Sequence, residues 1–201
     1  MMSAGAFAPG GEGGVRLGHD RPHLLPPGHQ LGVEVPHPRG LRRRQIPFLG
    51  DVVGRSGRAA ITARLPGLKA EWRLDFVIVN GENASGGMGL TPDHARGILE
   101  AGADVVTLGD HAFDQKDMLQ YIESEPRVLR PLNFAKGAPG RGHRVFPDAR
   151  GRKILVTQVL GNVFMKRAFD DPFSAVDQVL AAHPLGGAVQ AALVDVHCEA
   201  T

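Results

Sequence analysis

Residues 106–114 read Val-Thr-Leu-Gly-Asp-His-Ala-Phe-Asp, and the fold turns on how this stretch ends. Two β-branched residues and a leucine, the habit of a buried strand, run into a glycine. An aspartate, a histidine and a second aspartate then arrive almost together. A strand that closes on such a cluster has either reached water or forms the rim of a metal or phosphate site. What the rest of the chain supplies decides between them.

The same texture recurs on both sides. Short apolar runs occur at residues 46–49, 76–79, 105–108, 154–160 and 191–196, with helix-like segments between most of them. That is the pattern of an α/β domain with a largely parallel sheet wrapped by helices. Residues 57–72 read as a helix that Pro66 interrupts or kinks. Thr91 and Pro92 supply an N-cap and a first-turn proline for a helix that stops near Gly102. Asp114 or Gln115 opens another helix to about Glu123, with Asp114 as its cap, and Pro172 opens one through Leu180. Pro47 removes a ladder hydrogen bond from the first strand, so the strand either begins there or is damaged.

Residues 1–45 are of another kind. Gly10-Gly11, Gly13-Gly14, Pro26-Pro27 and Arg42-Arg43-Arg44 crowd a segment whose histidines (His19, His23, His29, His37) follow no ligand spacing. So little apolar surface does not offset the entropy of ordering a backbone. The segment is expected to be a disordered or non-native extension, with residues 46–201 as the folded domain. Over the whole chain, 42% hydrophobic and 22% charged residues are ordinary soluble values. A net charge of +2 argues for neither a nucleic-acid polymer nor a membrane. No apolar run approaches the roughly 18 residues of a membrane span, and no continuous apolar segment marks a signal peptide. Cys198, the single cysteine, has no internal disulfide partner; a reducing compartment, the cytoplasm, is the expected location.

In open α/β sheets, ligands bind beyond the carboxyl ends of the strands. The first apolar run is followed by Gly50-Asp51, the second by Asn80-Gly81-Glu82-Asn83, the third by Gly109-Asp110-His111 and the last by His197 and Glu199. Four tips are thus expected to converge on one edge of one sheet. Carboxylates gathered there repel one another unless cations are present. Mixed Asp, Glu, Asn and His donors suit iron, manganese or zinc better than magnesium. The chain has no Lys-containing phosphate loop and no Gly-x-Gly-x-x-Gly after a strand, so metal is the better reading. A pair of divalent ions can hold a hydroxide that is nucleophilic at neutral pH, and a histidine in line with the leaving oxygen can protonate it.

The segments FLGDVVGRSGR (48–58), VIVNGENASGGMGLT (77–91), TLGDHAFDQKD (107–117), RPLNF (130–134), LGNVFM (160–165) and VDVHCEAT (194–201) resemble successive motifs of the YmdB-like metallophosphoesterases. These are a branch of the calcineurin-like dinuclear phosphoesterases. The resemblance implies that fold, β-sheets flanked by helices, and two divalent metal ions, iron or manganese. It implies Asp51 and Asn83 at the first metal, Glu82 bridging both, Asp110 and His197 at the second, and His111 as the catalytic proton donor. The implied activity is hydrolysis of a small phosphodiester, with 2′,3′-cyclic nucleotides as the substrate class, and a homo-oligomer is compatible with it.

Two departures set a second expectation. Asp110 stands where the family has asparagine, which adds a negative charge that tightens a cation and weakens attraction for phosphate. The family also continues past the position of Thr201 with a His-x-His pair of metal ligands, so the fold is expected to be incomplete at its C-terminus. The alternative is therefore a catalytically impaired member that binds metal or nucleotide and acts through partners.

Overall fold

A computed structural model describes residues 45–165 and 167–199. The expected extension lies outside the described residues, apart from Gln45. The first sheet is parallel, with β1 (Phe48–Leu49), β2 (Ile78–Asn80), β3 (Val105–Thr107) and β4 (Val128–Leu129) in that spatial order. Between its strands run α1 (Gly54–Glu71), α2 (Pro92–Glu100) and α3 (Met118–Ser124). Because strand side chains alternate, Val77 and Val79 face the helices and Phe76 and Ile78 face away. On the helical side, Leu65, Ile98, Leu99, Met118 and Ile122 pack with Val77, Val79, Val106 and Val128.

The other face meets a second sheet of β5 (His143–Pro147), β6 (Lys153–Leu160) and β7 (Ala191–His197). β5 is antiparallel to β6, and β7 is parallel to it. Phe76, Ile78, Val105 and Leu129 are buried against Phe146, Ile154 and Val156. Each such side chain, fully buried, contributes about 1.5–3 kcal/mol of hydrophobic stabilisation before entropy is subtracted. The connection from β6 to β7 carries α4 (Pro172–Ala182), whose Val179 packs on Leu155. The layers are helix, sheet, sheet, helix.

The apolar runs alone read as one largely parallel sheet; there are two, as the resemblance implied. The four polar strand tips lie at one end of a sandwich, three on the first sheet and His197 on the second. β4 and β5 are invisible as apolar runs, since β4 has two residues and only Phe146 of β5 is fully buried. Pro47 is harmless, because it precedes β1 and its carbonyl accepts from Ile78 N at 3.1 Å. α1 starts at Gly54 and continues through Pro66. Thr91 caps α2 as expected, and Gly102 (φ +113°) turns the chain out of it. α3 starts only at Met118, because residues 111–118 close successive turns, Asp114 N to His111 O and Met118 N to Gln115 O. Asp114 therefore does not cap α3.

Candidate metal centre

At the carboxyl ends of β1, β2, β3 and β7 lies a cleft of about 390 Å³. Asp51, Glu82, Asn83, Asp110, His111 and His197, the six residues singled out in the sequence, all line it. Asp51 adopts a left-handed backbone (φ 48°), uncommon for a residue with a side chain and frequent at functional tips. Its loop is pinned by Val52 N to Asn80 O (3.1 Å) and Gly54 N to Asn83 O (2.9 Å). Asp51 Oδ1 accepts from Asn83 Nδ2 at 2.8 Å.

Glu82 is 3% exposed, and its backbone N–H donates to Asn80 Oδ1. Its carboxylate lies directly over Gly109, where a Cβ would come within 1.5 Å of Glu82 Oε2. Glu82, Asp110 and His197 each present a ligand atom, and these atoms all lie within 4.8 Å of one another. Glu82 Oε1 is 2.8 Å from His197 Nδ1, and His197 Nε2 is 3.6 Å from Asp110 Oδ1. The bond to Glu82 raises the pKa of His197; burial opposes the rise, and the charges of Glu82, Asp110 and Glu199 add to it.

Two buried atoms here, Glu82 Oε2 and His197 Nε2, have no hydrogen-bond partner. Buried polar atoms are rarely left so, and orphans on a carboxylate and an imidazole beside another carboxylate are what a divalent cation satisfies. The residues fit a metal.

His111 stands at the side of this group. Its Nδ1 is 2.6 Å from Asp114 Oδ2, and its Nε2 is 3.8 Å from Asp110 Oδ1. A carboxylate at Nδ1 fixes the ring and leaves Nε2 as the nitrogen able to exchange a proton in the cleft. Asp114, read in the sequence as a helix cap, is thus the partner of His111. Arg58 is spent on the Ala84 carbonyl. Asn133, in the RPLNF segment, is buried, with its amide bonded to Leu160 N, Leu160 O and Asp170 O. It secures the end of β6 beside His197 and is not free to meet a substrate.

Sequence reasoning missed Asp195. Its Oδ2 accepts from Asn80, Thr107 and Gln158. Burial raises its pKa, which the Thr107 and Asn80 bonds moderate and the Glu82 charge reinforces. The available signal was alternation, since Asp195 shares a strand face with His197.

Two facing sheets between helices, with acidic, amide and imidazole side chains beyond their strand ends, are the calcineurin-like metallophosphoesterase fold. Within that class the chain belongs to the YmdB-like protein family, which it matches over residues 48–201. It is 36% identical over 157 residues to the 2′,3′-cyclic-nucleotide 2′-phosphodiesterase of Bacillus subtilis (strain 168), which is 78% of this chain and 58% of that protein. The crystal structure of a hypothetical protein from Thermus thermophilus is similar at 41% identity and a TM-score of 0.69, over 77% of this chain and 58% of that one. That of a novel phosphatase from Mycoplasma pneumoniae is similar at 33% identity and a TM-score of 0.69, over 78% and 56%. The chain thus spans between 56% and 58% of the length of these three proteins.

Proposed function

We propose that this chain is a metal-dependent phosphodiesterase acting on small phosphodiesters of the 2′,3′-cyclic nucleotide class, with iron or manganese at the cleft. The observation that carries the reading is the pair of orphaned buried atoms, Glu82 Oε2 and His197 Nε2, facing Asp110. The Bacillus subtilis relative's name supports the substrate class. Asp51, Glu82, Asn83, Asp110 and His197 would hold two divalent ions. When bound, such ions supply Lewis-acid polarisation of a phosphate and activation of water at neutral pH. Glu82, held from two sides by Asn80 and His197, sets the centre of the site. Asn83 orients the Asp51 carboxylate through its amide. His111, with Nδ1 on Asp114, delivers a proton from Nε2 to the leaving oxygen, a step typically worth about 10²–10⁴-fold.

The reading is tested with bis-p-nitrophenyl phosphate and 2′,3′-cyclic AMP. Hydrolysis that requires Mn²⁺ or Fe²⁺ and disappears in Glu82→Ala is the expected result; none with either ion would end it. A second reading, a chain that holds one cation and acts as a binder, is favoured by one observation. Among the described residues, the group able to hold a metal is Glu82, Asp110 and His197, while Asp51 is engaged by Asn83. Metal analysis separates the readings: close to two ions per chain supports the enzyme, and one supports the binder.

A further inference from the structure

The cleft draws its candidate ligands from two sheets, and the contact between those sheets is mostly apolar. Apolar burial is non-directional and does not by itself hold two surfaces to the few tenths of an ångström that a metal site needs. At the level of the cleft the character of the interface changes. Along β2 the inward face steps from Ile78 to Asn80, along β3 from Val105 to Thr107, along β6 from Val156 to Gln158, and along β7 from Leu193 to Asp195. In each case the first residue belongs to the apolar layer between the sheets. The polar residue two positions on shares its face.

These four polar side chains meet at one atom. Asp195 Oδ2 accepts from Asn80 Nδ2 at 3.2 Å, Thr107 Oγ1 at 2.7 Å and Gln158 Nε2 at 2.9 Å. The three donors are buried, and Gln158 makes its bond while its own Oε1 has no partner. Thr107 and Asn80 are paired neighbours in the first sheet, as Gln158 and Asp195 are in the second. The next residue of β7 on the same face is His197, paired across the sheet with Leu160. On the other side Asn80 passes the constraint on, because its Oδ1 accepts from the Glu82 backbone N–H at 3.1 Å.

We infer that Asp195 is a positioning residue that fastens the second sheet to the first and thereby sets the separation of Glu82 and His197. The inference rests on the metal-centre reading above. Asp195 also lines the cleft, but its Oδ2 is engaged by the three donors, and it acts through Asn80 on one ligand and through its own strand on the other. The acceptor oxygen is what matters, so an amide in its place should serve.

The test uses the full chain, stripped of metal, with Asp195→Ala, Asp195→Asn and Thr107→Val beside the wild type. Mn²⁺ affinity is measured by the electron paramagnetic resonance of free Mn²⁺, and amide exchange over residues 191–199 is followed by mass spectrometry without metal. Asp195→Ala is expected to weaken Mn²⁺ binding by about 10–100-fold, the usual cost of losing a group that orients ligands, and Asp195→Asn to recover most of it. Exchange over 191–199 should quicken in Asp195→Ala and not in Asp195→Asn. Thr107→Val removes one donor at nearly constant volume and should show a smaller change of the same sign, which keeps the question open to test if Asp195→Ala does not fold. Wild-type affinity and exchange in Asp195→Ala or, failing that, Thr107→Val would overturn the inference. So would Asp195→Asn as weak as the alanine variant. A wild type that takes up no Mn²⁺ would instead refute the metal-centre reading, and metal-free exchange would still decide whether Asp195 joins the sheets.

Discussion

Gly109 has no side chain, and the Glu82 carboxylate occupies the space that one would take. Gly109→Ala should therefore displace Glu82 without replacing any of the candidate ligands. The expected outcome is loss of Mn²⁺ uptake in a metal titration, with phosphodiester hydrolysis down by roughly 10² or more, as for removal of a group that stabilises the transition state. Asp114 offers a second test at this scale. Asp114→Asn weakens the hold on His111 Nδ1. Loss of an oriented acid hurts poor leaving groups most, because p-nitrophenolate departs without a proton. Turnover of a cyclic nucleotide should fall by about 10-fold or more while p-nitrophenyl ester hydrolysis changes little. Equal losses on both substrates would remove His111 as the proton donor.

The β5–β6 hairpin depends on one carboxylate. Asp148 Oδ1 accepts from Arg150 N at 2.8 Å and Arg152 N at 2.9 Å, and its Oδ2 accepts from Arg152 Nε at 2.6 Å. Burial alone would raise its pKa, but the backbone bonds and the guanidinium outweigh burial and hold it below the usual carboxylate range. A depressed folded pKa contributes stability that is full above the unfolded value, about 4, and is lost as pH falls through the lower folded value. Asp148→Asn should therefore melt below the wild type at pH 7, with the gap closing below about pH 4. Thermal melts across that range check it, and a gap that does not vary with pH would contradict the assignment. The hairpin matters to the site because β6 carries both Gln158 and the pairing partner of His197.

For the whole molecule, a cation at the cleft would join two sheets that otherwise meet through apolar packing and the Asp195 layer. A ligand bound only by the folded state stabilises it by about 2.7 kcal/mol at 100 times its Kd. For a chain of this size each kcal/mol moves the melting temperature by roughly 2–4 °C, so saturating Mn²⁺ should raise it by about 5–11 °C. Scanning fluorimetry with and without Mn²⁺ measures the shift. It should vanish in Glu82→Ala, and a shift that survived there would mean that the ion binds elsewhere.

Most strand positions, the Thr91 and Pro172 helix starts and the identity of the polar tips were legible from the sequence alone. Their causes are local: an apolar run, a cap, a proline at the first turn, a glycine where the chain turns. The motif spacing also carried the family. What only the tertiary structure decided is non-local. His197 reaches the cleft from a second sheet because β7 pairs with β6 and not with the first sheet, a choice made by the shape and burial of facing surfaces. The two-residue β4 exists because β3 offers it a parallel neighbour. Asp114 turned to His111 because the chain coils before α3, and the Glu82 carboxylate folds back into the space that Gly109 leaves empty. Asp195, unremarkable in the sequence, gathers three donors from three strands, and no local pattern encodes a meeting of residues 80, 107, 158 and 195.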